Sequence, residues 1–373
     1  MQEYLKQYEV TLQTVGPVFI GNDKEIKKKE YIFLGKNKVG IFDIPKLYQE
    51  LKRRGKSQKF EEYLMGNRRE DLTTWLFHER IQIKDVKPFL KYTLDCEETA
   101  VENKKQLQIM EMIKDPYGNP YIPGSSLKGM LRTILLCYDL KNNQDKYAVK
   151  KDELTDEIFK NTYSRQNRNN FLKDQSKGFE EKAFHILKRD EEHINNAVND
   201  KLSGLIVSDS QPLDVNDLTL CQKVEIYPDG TEKIIPILRE CIKPGKIIRF
   251  NITIDTTVCK LTDQDIKDAV KDFITIYQIY FGGKFIGNSR YRVNQVILGG
   301  GSGFVSKTLI YSLYRKEGVK VCQTIYKKMG VNKQHGHAAD LKLGVSPHIL
   351  KCTKYKGELY QMGLCNFIMR GKN

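Results

Sequence analysis

The run Tyr121-Ile122-Pro123-Gly124-Ser125-Ser126-Leu127-Lys128-Gly129-Met130-Leu131-Arg132-Thr133 places a small-residue loop directly before a basic helix. Pro123 and Gly124 break the preceding extended segment, and Ser125 or Ser126 can cap the helix that follows. Apolar residues then fall at Leu127, Met130, Leu131, Ile134, Leu135 and Tyr138, which is one helical stripe for burial. Lys128 and Arg132, four apart, share the other face, with Gly129 beside them where a backbone can come close. A helix N-terminus with free N–H groups, hydroxyls and two cations suits a phosphate. Taken alone, the same residues also describe an ordinary amphipathic helix with solvated charges.

A second run, Gly299-Gly300-Gly301-Ser302-Gly303-Phe304-Val305-Ser306-Lys307-Thr308, follows the apolar strand Val293 to Leu298 and precedes a helix. Gly301, Lys307 and Thr308 have the spacing of a nucleotide-binding P-loop, but Ser306 stands where the second glycine is required. The simpler reading has successive N–H groups of the glycines and the charge of Lys307 meeting a phosphodiester. Phe304 either stacks on a base or fills the core, the core being its expected place. Just upstream, Arg290-Tyr291-Arg292 alternates cation and aromatic as single-stranded RNA grooves do, or as a surface strand with one buried tyrosine does.

These motifs resemble the RAMP superfamily, the RNA-binding proteins of CRISPR effector complexes. Pro-Gly-Ser-Ser-Leu-Lys-Gly-x-x-Arg from Pro123 to Arg132 is similar to that family's signature, and the Gly299–Thr308 loop to its second glycine-rich motif. The opening Tyr8 to Asn22 resembles the family's first strand and its Pro-x-x-Ile-Gly turn at Pro17 to Gly21. Tyr31-Ile32-Phe33 and Val39 to Asp43 resemble the hairpin that comes next. By length and motif order, the likeness is to the subunit at the crRNA 3′ end of type III-A (Csm) complexes. The resemblance implies an α+β chain of two ferredoxin-like (RRM-type) domains, bound to crRNA, to the repeated backbone RAMP subunit and to other Csm proteins. It also implies support of crRNA maturation in antiviral defence, with trimming left to recruited host nucleases. The residues expected to face RNA are Gly124, Ser125, Ser126, Lys128, Arg132, Arg290, Arg292, Gly301, Ser302 and Lys307.

Composition agrees with an RNA partner without naming one. The 373 residues carry 62 Lys and Arg against 47 Asp and Glu, a net charge of +15 that favours a polyanion. No apolar run is long enough to cross a membrane, and the N-terminal residues lack the apolar core of a signal peptide. Eight cysteines without a Cys-x-x-Cys pair read as reduced thiols of a cytoplasmic protein.

The elements that must position the motifs are legible in part. Tyr8, Val10 and Leu12 alternate with polar residues as a strand. A helix is expected from Ile44-Pro45 to Leu51, and a helical stretch with the only tryptophan, Trp75, over residues 56–85. Residues 1–140 read as the first ferredoxin-like domain and residues 141–200 as a charged helical insertion whose charges are mostly solvated. That insertion includes the basic, amide-rich Tyr163 to Asn170. Residues 201–373 read as the second domain. There Tyr227-Pro228-Asp229-Gly230-Thr231 is a hairpin turn, Ile248, Phe250, Ile252 and Ile254 alternate as a strand, and Thr262 with Asp265 opens a helix.

Metal-free RNA cleavage needs a base near the 2′-hydroxyl and an acid at the leaving oxygen. In many RAMP relatives a histidine precedes the Ile-Gly of the first turn, and here Phe19 stands there. Asp43 and Asp209 fall in no matching catalytic motif. His335-x-His337, with Cys322 or Cys352 far off in sequence, is too weak a pattern for a metal site. The reading is therefore a non-catalytic subunit with no cofactor and no metal, the alternative being a metal-independent RAMP endoribonuclease.

Overall fold

The computed structural model describes residues 4–66, 70–96, 107–160, 172–288, 290–331 and 336–372. Tyr163 to Asn170 and His335 lie outside them. Two sheets organise the chain. The five-stranded sheet has the order Gln295–Ile297, Leu364–Gly371, Leu5–Thr14, Ile247–Asp255, Leu205–Val207, with every pairing antiparallel. Val10 and Leu12 on the central strand lie opposite Phe250 and Ile248, so one face of this sheet is continuously apolar and buried. Two helices that pack on each other, Gly124–Asn142 and Asp263–Tyr280, adjoin its edge strands. Without the Gln295–Ile297 edge strand this is a ferredoxin-like β-α-β-β-α-β unit.

The second sheet has nine strands. Its main path runs Gly21–Ile26, Ile109–Met112, Glu232–Ile242, Leu218–Ile226, Leu90–Cys96, Lys38–Phe42, Tyr31–Phe33, and the Leu350–Tyr355 strand joins it along Leu218–Ile226. The α+β class with two sheets agrees with the expectation. Its sequence partition is more interleaved than two successive segments, because each sheet takes strands from both residues 1–140 and residues 201–373. Local periodicity sets which residues form a strand, whereas the partner is chosen by burial of the shared face.

Local signals were reliable where a cap or turn was spelled out. Thr262 and Asp265 form a reciprocal capping box. Pro228 to Thr231 closes the hairpin between Leu218–Ile226 and Glu232–Ile242. The stretch expected to be helical over 56–85 is three helices, Ser57–Met65, Leu72–His78 and Ile83–Val86. Together with Ile44–Arg53 they build a separate small core around Trp75, Phe60 and Tyr63.

The insertion departs from its expected character. Its helices, Gln144–Phe159 and Lys173–Phe184, bury Tyr147, Leu154, Ile158, Phe179 and Phe184 in the main core, with the Tyr147 and Phe179 rings stacked. Most of its charges stay at the surface as expected, but Glu180 and Asp200 turn inward to Arg132, so the segment is a structural layer rather than exposed helices alone.

Candidate nucleic-acid interface

The signature helix begins at Gly124, with Pro123 as its N-cap residue. Neither serine caps it. The Gly124 N–H donates to the Asp209 carboxylate at 2.8 Å, and the Ser126 N–H returns to the Pro123 carbonyl at 2.9 Å. Asp209 thus supplies the negative charge that the helix dipole favours, and Asp43 likewise caps the Ile44–Arg53 helix. Both aspartates have structural roles. Gly124 is fixed by closeness of approach: a methyl group there would lie 2.4 Å from the Val207 carbonyl oxygen.

With the N-terminal N–H groups largely engaged, the Ser125 and Ser126 hydroxyls face a cleft of about 340 Å³. Gly129, Met130 and Thr133 continue that wall, and Gly129 is exposed with open space where a side chain would stand. The opposite wall is Ile297 to Gly300 with Ser306 and Lys307, and Ile20 and Gly21 of the first turn close one end. Three segments far apart in sequence, each singled out by its residue types, therefore meet in one place.

The glycine loop is anchored to the first turn by its backbone. The Gly300 N–H donates to the Phe19 carbonyl at 2.7 Å, and Gly299, at φ +90°, presses so close that a methyl group would sit 2.3 Å from that oxygen. Ser302 is buried, and its hydroxyl donates to the Gly299 carbonyl at 2.8 Å, so it shapes the loop from within. Ser306 is buried too and bonds the Gly303 carbonyl, which leaves no phosphate cradle of the P-loop kind. Lys307 projects from the loop, and partial burial of its stem lowers its pKa. Phe304, expected in the core, is 38 % exposed and stands edge-on to Tyr326.

The remaining predicted residues lie elsewhere. Lys128 and Arg132 face the insertion: Arg132 pairs with Glu180 at 2.7 Å and Asp200 at 2.5 Å and lies over the Phe184 ring. Burial lowers the pKa of Lys128, with Asp200 opposing that shift. Arg290 and Arg292 are exposed, while the tyrosine between them is core, its hydroxyl bonded to Gln361. Gly301 is not among the residues that line the cleft and lies beside Arg239, a residue the sequence reading did not single out.

Among the described residues, one group has metal-ligand chemistry, His337, Asp340 and His348, whose ligand atoms lie within 4.8 Å of one another. They already satisfy each other. The two Asp340 oxygens contact His337 Nδ1 at 3.1 Å and His348 Nδ1 at 2.5 Å, and the Ser346 hydroxyl donates to the carboxylate as well. Burial alone would raise the Asp340 pKa, but these hydrogen bonds outweigh it and hold the acid below its ordinary range. The cluster pins the Leu350–Tyr355 strand's approach and sits outside the cleft.

Comparison with known proteins bears on the family and the fold. The family description "RAMP superfamily" matches residues 11–262. The Csm5 protein of Mycobacterium tuberculosis (strain CDC 1551 / Oshkosh) is 29% identical over 402 residues, covering 99% of both chains. That of Enterococcus italicus is 26% identical over 96% of each. A chain of the cryo-EM Csm–crRNA–target RNA ternary complex of a type III-A system superposes with a TM-score of 0.63 at 21% identity. It covers 97% of this chain and 100% of that one, a likeness of fold. This chain belongs to the RAMP superfamily.

Proposed function

We propose that this protein is the Csm5-type, crRNA-binding subunit of a type III-A effector complex, seated at the crRNA 3′ end and without catalytic activity of its own. The observation that carries the reading is the convergence of the first turn, the Ser125-Ser126 helix start and the Gly299–Lys307 loop on one cleft. Hydroxyls, glycine backbone and one cation suit a sugar–phosphate chain read by shape rather than by base. The full-length match to Csm5 relatives supports membership of the same complex, with the backbone RAMP subunit and other Csm proteins as neighbours. Trimming of the crRNA then belongs to recruited nucleases, and the site of action is the cytoplasm. No helix among the described residues is long and apolar enough to cross a membrane.

Among the described residues that line the cleft Lys307 alone is ionisable, and a lone amine supplies a base or an acid but not both, which disfavours the endoribonuclease alternative. The test is gentle purification of the tagged protein from its native host, with sequencing of the RNA that accompanies it. Spacer-derived RNAs carrying a repeat tag, with loss of the mature short form on deletion, support the reading. Random or absent RNA with normal crRNA lengths after deletion overturns it.

A further inference from the structure

Arg239 sits on the Glu232–Ile242 strand, opposite Met110 on one side and Cys221 on the other. Its guanidinium carbon lies 5.6 Å from the centroid of the Phe19 ring, and a side chain at Gly301 would begin 3.4 Å from it. Its Nε is buried without a hydrogen-bond partner, and no carboxylate among the described residues pairs with the guanidinium. The nearby acid on the same strand, Glu240, is fully buried and engaged with Tyr92 and Lys114.

The surroundings add positive charge. Lys223 and Lys351 share the single carboxylate of Glu225, at 2.7 Å and 2.6 Å, and the Lys351 stem lies beside Gly303. Two cations, Arg239 beside Gly301 and Lys351 beside Gly303, therefore stand along the base of the glycine loop, and the one carboxylate paired with Lys351 is shared with Lys223. A half-buried guanidinium whose Nε is shut away from water without a partner is unfavourable, and burial lowers the pKa of Arg239. Its planar fork, held over the Phe19 ring, leaves donors for the two oxygens of a phosphate. Phe19 carries the carbonyl that anchors Gly300, so the cation lies behind the loop that forms one wall of the cleft.

We propose that Arg239 is an anion subsite, binding a phosphodiester of single-stranded RNA at the back of the Gly299–Gly303 loop. This rests on the RNA-binding reading of the cleft. The test compares wild type with R239M and R239K, reading the thermal stability of the free protein and the affinity for a labelled single-stranded RNA oligonucleotide across a salt series. The free R239M protein should be as stable as wild type or more so, yet bind RNA about tenfold to a hundredfold more weakly. Its salt slope should fall by about 0.7, one phosphate on a single strand. R239K should keep the slope and recover only part of the affinity, because a point charge replaces a fork. R239M that binds RNA as wild type does overturns the Arg239 assignment and leaves the cleft standing. R239M that loses stability marks a structural residue and overturns it as well. Wild type that fails to bind the oligonucleotide, alone and in the assembled complex, overturns both readings.

Discussion

Each wall of the cleft carries a glycine, and a single methyl group on each should act in opposite directions on stability. Gly129 lies inside an exposed helical turn, and an added Cβ would meet nothing within 4 Å. Gly129→Ala should therefore stabilise the free protein by about 0.8–1 kcal/mol through helix propensity alone. Gly299 is at φ +90°, with the Phe19 carbonyl oxygen 2.3 Å from where its Cβ would stand. Gly299→Ala should cost about 1–3 kcal/mol in backbone strain. Displacing the loop also gives up the Gly300-to-Phe19 hydrogen bond, about 1 kcal/mol more. Urea unfolding of the two variants should place their midpoints on opposite sides of wild type. RNA affinity, measured by fluorescence anisotropy, should nevertheless fall in both. Gly129→Leu, which occupies the cleft outright, should bind about tenfold more weakly or worse, at least 1.4 kcal/mol. A stabilised Gly129→Ala and a folded Gly129→Leu that both bind RNA with wild-type affinity would refute the assignment of the cleft.

Three further outcomes follow from the packing. Asp209→Ala removes the cap of the signature helix and should cost about 1 kcal/mol of stability by chemical denaturation. RNA affinity should be kept or improved, since a carboxylate no longer competes at the helix start. Phe179→Ala should destabilise by about 3–5 kcal/mol, since that ring is fully buried against Tyr147; a change within 0.5 kcal/mol, about the size of a surface effect, would return the insertion to a solvated role. Glu225 is desolvated by burial, yet Lys223 and Lys351 hold its pKa down at about 2. Because the folded-state pKa is the lower one, its contribution is present above about pH 4.5 and lost as pH falls toward 2. The stability gap between wild type and Glu225→Gln should therefore narrow across that interval, and a gap constant with pH would contradict it.

The legible parts of this molecule are those whose physical cause is local. The alternation at Ile248, Phe250, Ile252 and Ile254, the Thr262–Asp265 cap and the Pro228–Gly230 turn each need only neighbouring residues. The serines failed as caps because their competitor, Asp209, arrives from the segment after the Leu205–Val207 strand, 85 residues away. Interleaving of the sheets has the same origin in long-range pairing. The insertion's buried stripe at Tyr147, Leu154 and Ile158 was present in the sequence but submerged among charges. Arg239 carried a readable signal too: it alternates with Ile237 and Cys241 along one strand face, an apolar row in which an arginine is out of place. Basic residues chosen for their motif fared unevenly, because a motif fixes a helix face and tertiary packing decides what that face meets. Lys307 lines the cleft, whereas Arg132 meets Glu180 and Asp200.

Ultraviolet crosslinking of the purified protein to crRNA, followed by mass spectrometry of the crosslinked peptides, tests the central claim most directly. Crosslinks on the first turn around Phe19 to Gly21, on residues 125–133 and on residues 299–307 are the predicted result. Crosslinks confined to other surfaces, with these three segments unmarked, would contradict the account.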